Sequence, residues 1–437
     1  MNCKSMRYTI NCQIVPKPTL LLLFSSFIHG NPSSNGLIVR EICDSIAGTV
    51  GGLDELALAL NEFRKNLTST LVTQVIDNCK SEAPTRRLLR FIIWSKKVLT
   101  SEFTDVEFNL SLRAMAERKD HSGMKVLLWD MVKEGRIMKP CTFVAVADAL
   151  VKVGKADEAL GVFKNLEKFQ CPRDGESVVA IVTSLCKKGH AKKAQGVLWH
   201  HKDKVSMLEM ENIFKSILYG WVVKRKLKEA RNVLKEMKRT GITPDLFCYN
   251  TLLKGLCEKN AARNPSGLVP DALNVLMEMR SYQVEPNTIS YNMLLSCLGR
   301  VRRIKEACNV LELMKKSGSE PDWISYYHVV KLLYVTGRFG KGSKFVEEMT
   351  EMGLVPERKF YFDLIRILCK SARPKLALKL LDMAKATSLG GYESLYDLLI
   401  SELCREGELE KGRQLWDEAM AEGLTLSYRS DTLDSMD

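Results

Sequence analysis

Tyr249, Tyr291, Tyr326, Tyr361 and Tyr396 stand 42, 35, 35 and 35 residues apart. Met237, Met279, Met314 and Met349 keep the same intervals (42, 35, 35), and so do Pro244, Pro286, Pro321 and Pro356. Three residue types recurring in phase at a fixed period of this length specify a stack of like supersecondary units, each too small to bury a core alone.

Residues 288–322 serve as the type unit. Tyr291, Leu294, Leu295 and Leu298 fall at helical spacing in its first half, and Ala307, Val310, Leu311 and Met314 do so in its second. A basic break at 299–303 separates the halves, and Ser317-Gly318 followed by Pro321 ends the second. The unit is therefore two antiparallel helices and a turn. Projected along the chain, the frame gives further units at 105–139, 140–174, 175–210, 211–245, 246–287, 323–357, 358–392 and 393–427. Leu-Cys pairs mark the first helix at 185–186, 256–257, 368–369 and 403–404. Seven additional residues in 246–287 fall at 261–270 and read as a lengthened inter-helix turn, where an insertion is cheap.

The pattern Tyr-Asn-x-Leu-Leu-x-x-Leu at 249–256, with Glu229-Ala230, Glu236-Met237 and Gly-Ile-Thr-Pro-Asp at 241–245, resembles the pentatricopeptide repeat. The resemblance is closest over 211–357 and extends across 105–427, with 70–104 similar to the degenerate first unit of plant members. A tetratricopeptide reading fits worse, because its Trp/Leu-Gly/Tyr signature is missing. The implied fold is all-α, a right-handed α-solenoid superhelix of stacked helix-turn-helix repeats. Residues 1–40 are expected as a disordered organelle transit peptide, 41–104 as N-terminal helices with the degenerate repeat, 105–427 as about nine repeats, and 428–437 as a disordered tail.

Composition fits a helical protein with an anionic partner. The chain has 437 residues, 46% hydrophobic and 27% charged, with 65 Lys+Arg against 52 Asp+Glu and a net charge of +13. No stretch reaches the roughly 18–20 apolar residues needed to span a bilayer. Thirteen cysteines, an odd number without a C-x-x-C pair, argue against a disulfide framework or a zinc site and read as small buried side chains in a reducing compartment. The first 40 residues hold four Lys/Arg and no Asp or Glu, as an organelle leader would, although 19–27 also resembles the apolar core of a signal peptide. The family resemblance points to mitochondria, with the chloroplast as the alternative.

Catalytic constellations are missing from the sequence. None of the six histidines stands in H-x-E or H-E-x-x-H, and His200-His201 are adjacent, so on a helix they diverge by about 100°. Residues 337–344 (GRFGKGSK) approach a phosphate-binding loop, but Ser343 stands where its Lys belongs. The repeats leave no room for the deaminase-like or nuclease extension that some family members carry. The chain therefore reads as the pure-repeat class: no enzyme, no cofactor, no metal, a monomer.

The resemblance further implies that first helices line an inner face and that each unit meets one base of single-stranded RNA. Two polar side chains would read the base: the residue after the aromatic and the last residue of the unit. In two units these are Asn250 with Asn287, implying a pyrimidine with cytosine slightly favoured, and Asn292 with Asp322, implying uracil. Phe247, Ile289 and Ile324 would flank these bases. The plain alternative for such residues is helix capping. The remaining pairs depart from the pattern: Asn109/Lys139, Val144/Asp174, Val179/Met210, Lys215/Asp245, Tyr327/Glu357, Phe362/Tyr392 and Asp397/Ser427. Lys152, Lys187, Arg300, Lys370 and Arg405 share one repeat position near the end of the first helix, a row suited to phosphates or to compensating helix dipoles. The expected function is non-catalytic binding of organelle RNA in processing, splicing, stability or translation, with other processing factors as further partners and no membrane. The alternative is a protein-interaction scaffold, such as a subunit of a mitochondrial ribosome or an RNA-processing complex.

Overall fold

The computed structural model describes residues 34–48, 52–80, 83–99, 103–386 and 392–427. All 22 α-helices lie in these segments, which contain no β-strand. Two compact units divide the chain: unit 1 holds 1–149 and 168–171, and unit 2 holds 150–167 and 172–437.

Unit 1 contains α1 (Ser34–Ala47), α2 (Leu53–Asn61), α3 (Ser69–Cys79), α4 (Thr85–Leu99), α5 (Asp105–Glu117) and α6 (His121–Lys133). Helix α7 (Pro140–Lys152) begins in unit 1 and ends in unit 2. Unit 2 continues with α8 (Ala156–Lys164), α9 (Gly175–Lys187), α10 (Ala191–His200), α11 (Met207–Val223), α12 (Leu227–Arg239), α13 (Leu246–Arg263) and α14 (Leu268–Ser281). Its remaining helices are α15 (Thr288–Arg300), α16 (Ile304–Lys316), α17 (Trp323–Val335), α18 (Phe339–Glu351), α19 (Arg358–Lys370), α20 (Pro374–Ala386), α21 (Glu393–Arg405) and α22 (Leu409–Ala421). Odd-numbered first helices stack on one another, α1 on α3 on α5 in unit 1 and α9 through α21 in unit 2. Each even-numbered second helix covers the back of its own hairpin.

The turns explain the period. After successive first helices the chain enters the left-handed region at Lys119, Gly154, Gly189, Arg225, Arg302, Gly337, Ala372 and Gly407. The next amide then bonds back to a carbonyl five residues earlier, as from Arg303 N to Leu298 O (3.1 Å) and from Arg338 N to Leu333 O (2.8 Å). This pattern closes the helix end and fixes the exit direction. Second helices end the same way, with Ile242 N on Met237 O, Val284 N on Met279 O, Ser319 N on Met314 O and Leu354 N on Met349 O. The recurring methionine thus supplies the accepting carbonyl while its side chain is fully buried. Its periodic partners Tyr249, Tyr291, Tyr326, Tyr361 and Tyr396 occupy the fourth position of their first helices and are also buried.

A second recurring device ties four of the hairpins to the next. Lys315, at the end of α16, lies 5.7 Å from the centroid of the Tyr326 ring on α17 and pairs with Glu348 on α18. Lys238 repeats the arrangement with Tyr249 and Glu278, Lys385 with Tyr396 and Glu418, and in unit 1 Lys96 with Phe108 and Asp130. Burial opposes the Lys315 charge, but its bonds to Glu348 and Glu312 outweigh that and raise its pKa.

Three expectations are corrected. Residues 34–40, assigned to a disordered leader, form the first half of α1, where Val39 packs inward; 1–33 and the tail 428–437 lie outside the described residues. The boundary projected at 210/211 falls at 206/207, because Ser206 accepts from Glu209 N (3.4 Å) while Glu209 accepts from Ser206 N (2.7 Å), and this capping box starts α11 one turn early. The seven-residue insertion is no lengthened loop. It extends α13 to Arg263, and buried Asn260 fastens the extension by donating to Gly267 O (3.1 Å) and Asp271 Oδ2 (2.8 Å). The cysteines of the Leu-Cys pairs, Cys186, Cys257, Cys369 and Cys404, are free and buried.

Gly353 has φ +70°, and a Cβ there would meet nothing. Gly353→Ala should therefore destabilise by about 1 kcal/mol through backbone strain alone, read as a lower urea midpoint. A lysine whose pKa is raised on folding stabilises fully below its unfolded value of about 10.4 and loses that contribution as pH climbs through the folded value. Lys315→Met should accordingly lower the melting temperature at pH 8, and the gap to wild type should narrow once the pH passes well above 10.4. A constant gap would exclude the ionic part of the clamp.

Candidate nucleic-acid interface

At Lys215, Asn250 and Asn292 the residue after a buried aromatic meets the residue that caps the next first helix. This follows from the stacking: in-register neighbours bring the fifth position of one helix beside the N-terminus of the next. Asn292 Nδ2 donates to Asp322 Oδ1 (2.9 Å), and Asp322 Oδ1 also accepts from Ser325 N (2.8 Å), which caps α17. Ser325 Oγ lies 2.6 Å from Asn292 Oδ1. A carboxylate only accepts, so the amide nitrogen must face Asp322 and the amide oxygen Ser325. One Nδ2 hydrogen and Asp322 Oδ2 are left over, a donor beside an acceptor.

The preceding hairpin repeats the lattice with different chemistry. Asn287 Oδ1 caps α15 through Ser290 N (3.1 Å) and lies 3.5 Å from Asn250 Nδ2, while Ser290 Oγ donates to Asn250 Oδ1 (2.7 Å). With Asn287 Oδ1 turned to the backbone, its Nδ2 and that of Asn250 present donors. Asn287 and Asp322 thus cap a helix and still keep one polar end outside the cap. Asn250 is the most enclosed of the four, at 9% exposure. Ile289 is 56% exposed, and Phe247 and Ile324 are half-buried beside their pairs.

Other pairs are closed. Lys215 forms ion pairs with Asp245 (2.8 Å) and Glu211 (2.6 Å). Burial disfavours its charge, but the two carboxylates prevail and raise its pKa. Asn109 accepts from Lys139 N (2.8 Å) and donates to the carbonyls of Asp105 and Ile137, so its amide is fully engaged. Asp397 accepts from Ser427 N (3.0 Å). Tyr327 turns away from Glu357: its hydroxyl donates to Asp363, and Lys331 Nζ reaches both Tyr327 (2.7 Å) and Asp363 (2.8 Å). Moving the boundary to 206/207 also removes Met210 from the pairs, since Ser206 takes the capping place.

Lys152, Lys187, Arg300, Lys370 and Arg405 are each the last residue of a first helix in unit 2, and all are exposed. Arg405 pairs with Glu402 (2.5 Å), and Arg300 donates to Cys297 Sγ (2.8 Å). Sequence reasoning missed a parallel row one turn earlier, where Lys254, Lys331 and Arg366 follow Asn250, Tyr327 and Phe362 by four residues. That i, i+4 spacing was legible and would have found it.

Among the described residues no group of three His, Cys, Asp or Glu side chains could hold a metal ion, and no helix is long and apolar enough to cross a membrane. His200 ends α10, with Nδ1 2.6 Å from Gly196 O. The glycine-rich 337–344 spans the end of the turn and the first half of α18, where a Cβ on Gly342 would collide with the Tyr334 ring.

Family models match in five places: the PPR repeat family at 213–258 and 286–333, the pentatricopeptide repeat domain at 269–301, and the PPR repeat at 141–171 and 394–424. A mitochondrial pentatricopeptide repeat-containing protein of Arabidopsis thaliana is 56% identical over 268 residues, 61% of this chain and 55% of that protein. A small ribosomal subunit protein of Arabidopsis thaliana is 28% identical over 58% of this chain and 50% of its own length. The chain spans about half the length of these relatives. Among solved structures, the pentatricopeptide repeat protein PPR10 in complex with an 18-nt psaJ RNA element aligns with a TM-score of 0.48 and 17% identity, over 92% of this chain and 65% of that one.

Because Asp322 caps α17, Asp322→Ala should destabilise by about 1 kcal/mol, whereas Asp322→Asn, which still caps, should change stability by less than about half of that. Paired urea titrations check this; equal losses would deny the cap.

Proposed function

Because the chain belongs to the pentatricopeptide-repeat family, we propose that it binds single-stranded RNA along its first-helix layer and acts, without catalysing a reaction, in organelle RNA processing, splicing, stability or translation. One observation carries the reading: Ser325 and the α17 cap hold Asn292 and Asp322 so that a donor and an acceptor stay unused side by side. Uracil offers the complement, a carbonyl beside an N–H. The donor-only pair Asn250/Asn287 suits the adjacent carbonyl and ring-nitrogen acceptors of cytosine. Ile289, exposed between the two pairs, offers an apolar surface to both bases. The exposed Lys152, Lys187, Arg300, Lys370 and Arg405 would meet phosphates. The mitochondrion is the favoured site of action, because the relative at 56% identity is named as mitochondrial.

A second reading, a protein-interaction scaffold, draws on the closed positions at Lys215/Asp245 and Tyr327/Asp363 and on the similarity to a ribosomal subunit protein. Salt dependence separates the two. Five phosphate contacts predict a log–log slope of about −3 to −4 for oligonucleotide affinity, and a flat profile favours the scaffold. Asp322→Asn converts the donor–acceptor pair to donors while retaining the cap. It should move the preference at one nucleotide from U toward C by about 1.4 kcal/mol, roughly tenfold in a selection experiment. An unchanged base profile would remove the base-reading assignment.

A further inference from the structure

Consecutive first helices also touch near their C-terminal ends. Cys186 on α9 lies against Gly220 on α11, and a Cβ on Gly220 would stand 3.0 Å from the Cβ of Cys186. Val179, Lys215, Asn250 and Asn292 hold one repeat position, and the contact is reached by counting from it. Cys186 follows Val179 by seven residues and Gly220 follows Lys215 by five; in the same way Cys257 follows Asn250 by seven and Cys297 follows Asn292 by five. Side chains at this register therefore approach Cβ to Cβ, as the two halves of a disulfide must. The buried thiols of Cys257 on α13 and Cys297 on α15 share a hydrogen bond there.

One of the two sulfurs is activated. Arg300, exposed at the end of α15, donates through Nη2 to Cys297 Sγ (2.8 Å). A guanidinium on sulfur favours the thiolate, which is the nucleophilic form. The Cys257 thiol and Arg300 together outweigh burial and bring Cys297 down to about 7, while Cys257 is pushed up. Cys297 is thus the attacking sulfur and Cys257 the resolving one. Other cysteines are set differently. Burial and Glu402 push Cys369 up to about 12, and burial raises Cys186. Cys43 and Cys79 share a hydrogen bond between α1 and α3, but Arg118 donates to the carbonyls of Cys79, Lys80 and Ala83 rather than to a sulfur.

We propose that Cys257, Cys297 and Arg300 form a thiol switch that hydrogen peroxide oxidises to a disulfide between α13 and α15. The Cys297 thiolate attacks one peroxide oxygen; an S–O bond forms as the O–O bond breaks, and the departing hydroxide takes a proton to leave as water. The sulfur of Cys257 then displaces hydroxide from the Cys297 sulfenic acid, and its own proton completes a second water. Two thiols and one peroxide become one disulfide and two waters, and a dithiol reductant reverses the change by exchange. The bond fastens the two helices that Asn250 and Asn287 also join, and it releases Arg300 from the thiolate. The chemistry is independent of RNA binding by the first helices.

The test treats the full chain with a small excess of hydrogen peroxide, quenches with catalase, alkylates the remaining thiols and digests without reductant. Mass spectrometry should find a peptide joining Cys257 to Cys297, and the oxidised chain should melt at a higher temperature until dithiothreitol is added. Cys257→Ser should stop at the Cys297 sulfenic acid, trapped by dimedone. Arg300→Gln should slow the cross-link several-fold at neutral pH and by much less above about pH 8.5, where an ordinary cysteine ionises. The proposal is overturned if no such peptide appears, if Arg300→Gln oxidises as fast as wild type at both pH values, or if Cys186 and Cys369 are oxidised as readily, which would report unfolding rather than a built site.

Discussion

The bond between the fifth residue of one first helix and the N-cap of the next governs this molecule. It is set up by the left-handed turns that close most helix ends and by a buried fourth residue, Tyr or Phe in most first helices and Val178 or Met210 in α9 and α11, that seats each of them against its neighbour. So seated, the fifth side chain lies beside the cap of the following helix, and a polar residue there bonds the cap unless, as at Tyr327, it reaches past it to Asp363. Asn292–Asp322, Lys215–Asp245 and Asn250–Asn287 are three chemical versions of that contact. Any surface the first-helix layer offers to a ligand is therefore built from groups that also hold consecutive repeats in register.

This coupling separates positions that can engage a ligand from positions that cannot. At Lys215 the contact is a complete ion pair, partly buried and bonded to two carboxylates, and opening it for a base would break both bonds. At Tyr327 a phenol, a lysine and an aspartate satisfy one another across two hairpins. Only the amide pairs keep spare hydrogen-bonding capacity after the cap is made. On the proposed reading, two adjacent hairpins with spare edges, amid neighbours that are closed or apolar, would give a short stretch of discrimination inside a longer row of cations.

Much of the fold was legible because the physics that sets it is local. Helix starts at Thr288 and Trp323 follow from the capping Asn287 and Asp322, and those at Arg358 and Glu393, which have no side-chain cap, follow from the period. The misplaced start of α11 was a failure of projection. The Ser206-x-x-Glu209 box was in plain sight, but a rigid 35-residue frame overrode it. The α13 extension was hidden for a different reason: Asn260 reads as a helix breaker until Gly267 and Asp271, seven and eleven residues on, are seen to satisfy it. The lysine–aromatic–acid clamp was equally hidden, since Lys315, Tyr326 and Glu348 come from three helices and meet only after stacking.

The site residues were legible as positions but not as bonding states. Sequence assigned Asn287 and Asp322 either to capping or to base reading, as though one excluded the other. The geometry makes the two roles compatible through stoichiometry. A carboxylate has two oxygens and an amide has two ends, and a cap uses one of each. That is why an Ala at the cap position would lose both roles while an Asn exchanged for an Asp keeps the cap and changes only the edge turned outward. On the proposed reading, selection on such a position can alter what a repeat recognises without disturbing how it stacks, provided the fifth-position amide keeps a free end, which Asn109 does not. Where it is Lys215 or Tyr327 the outward edge is consumed by the stacking itself, so those repeats are confined to structural work and to charge.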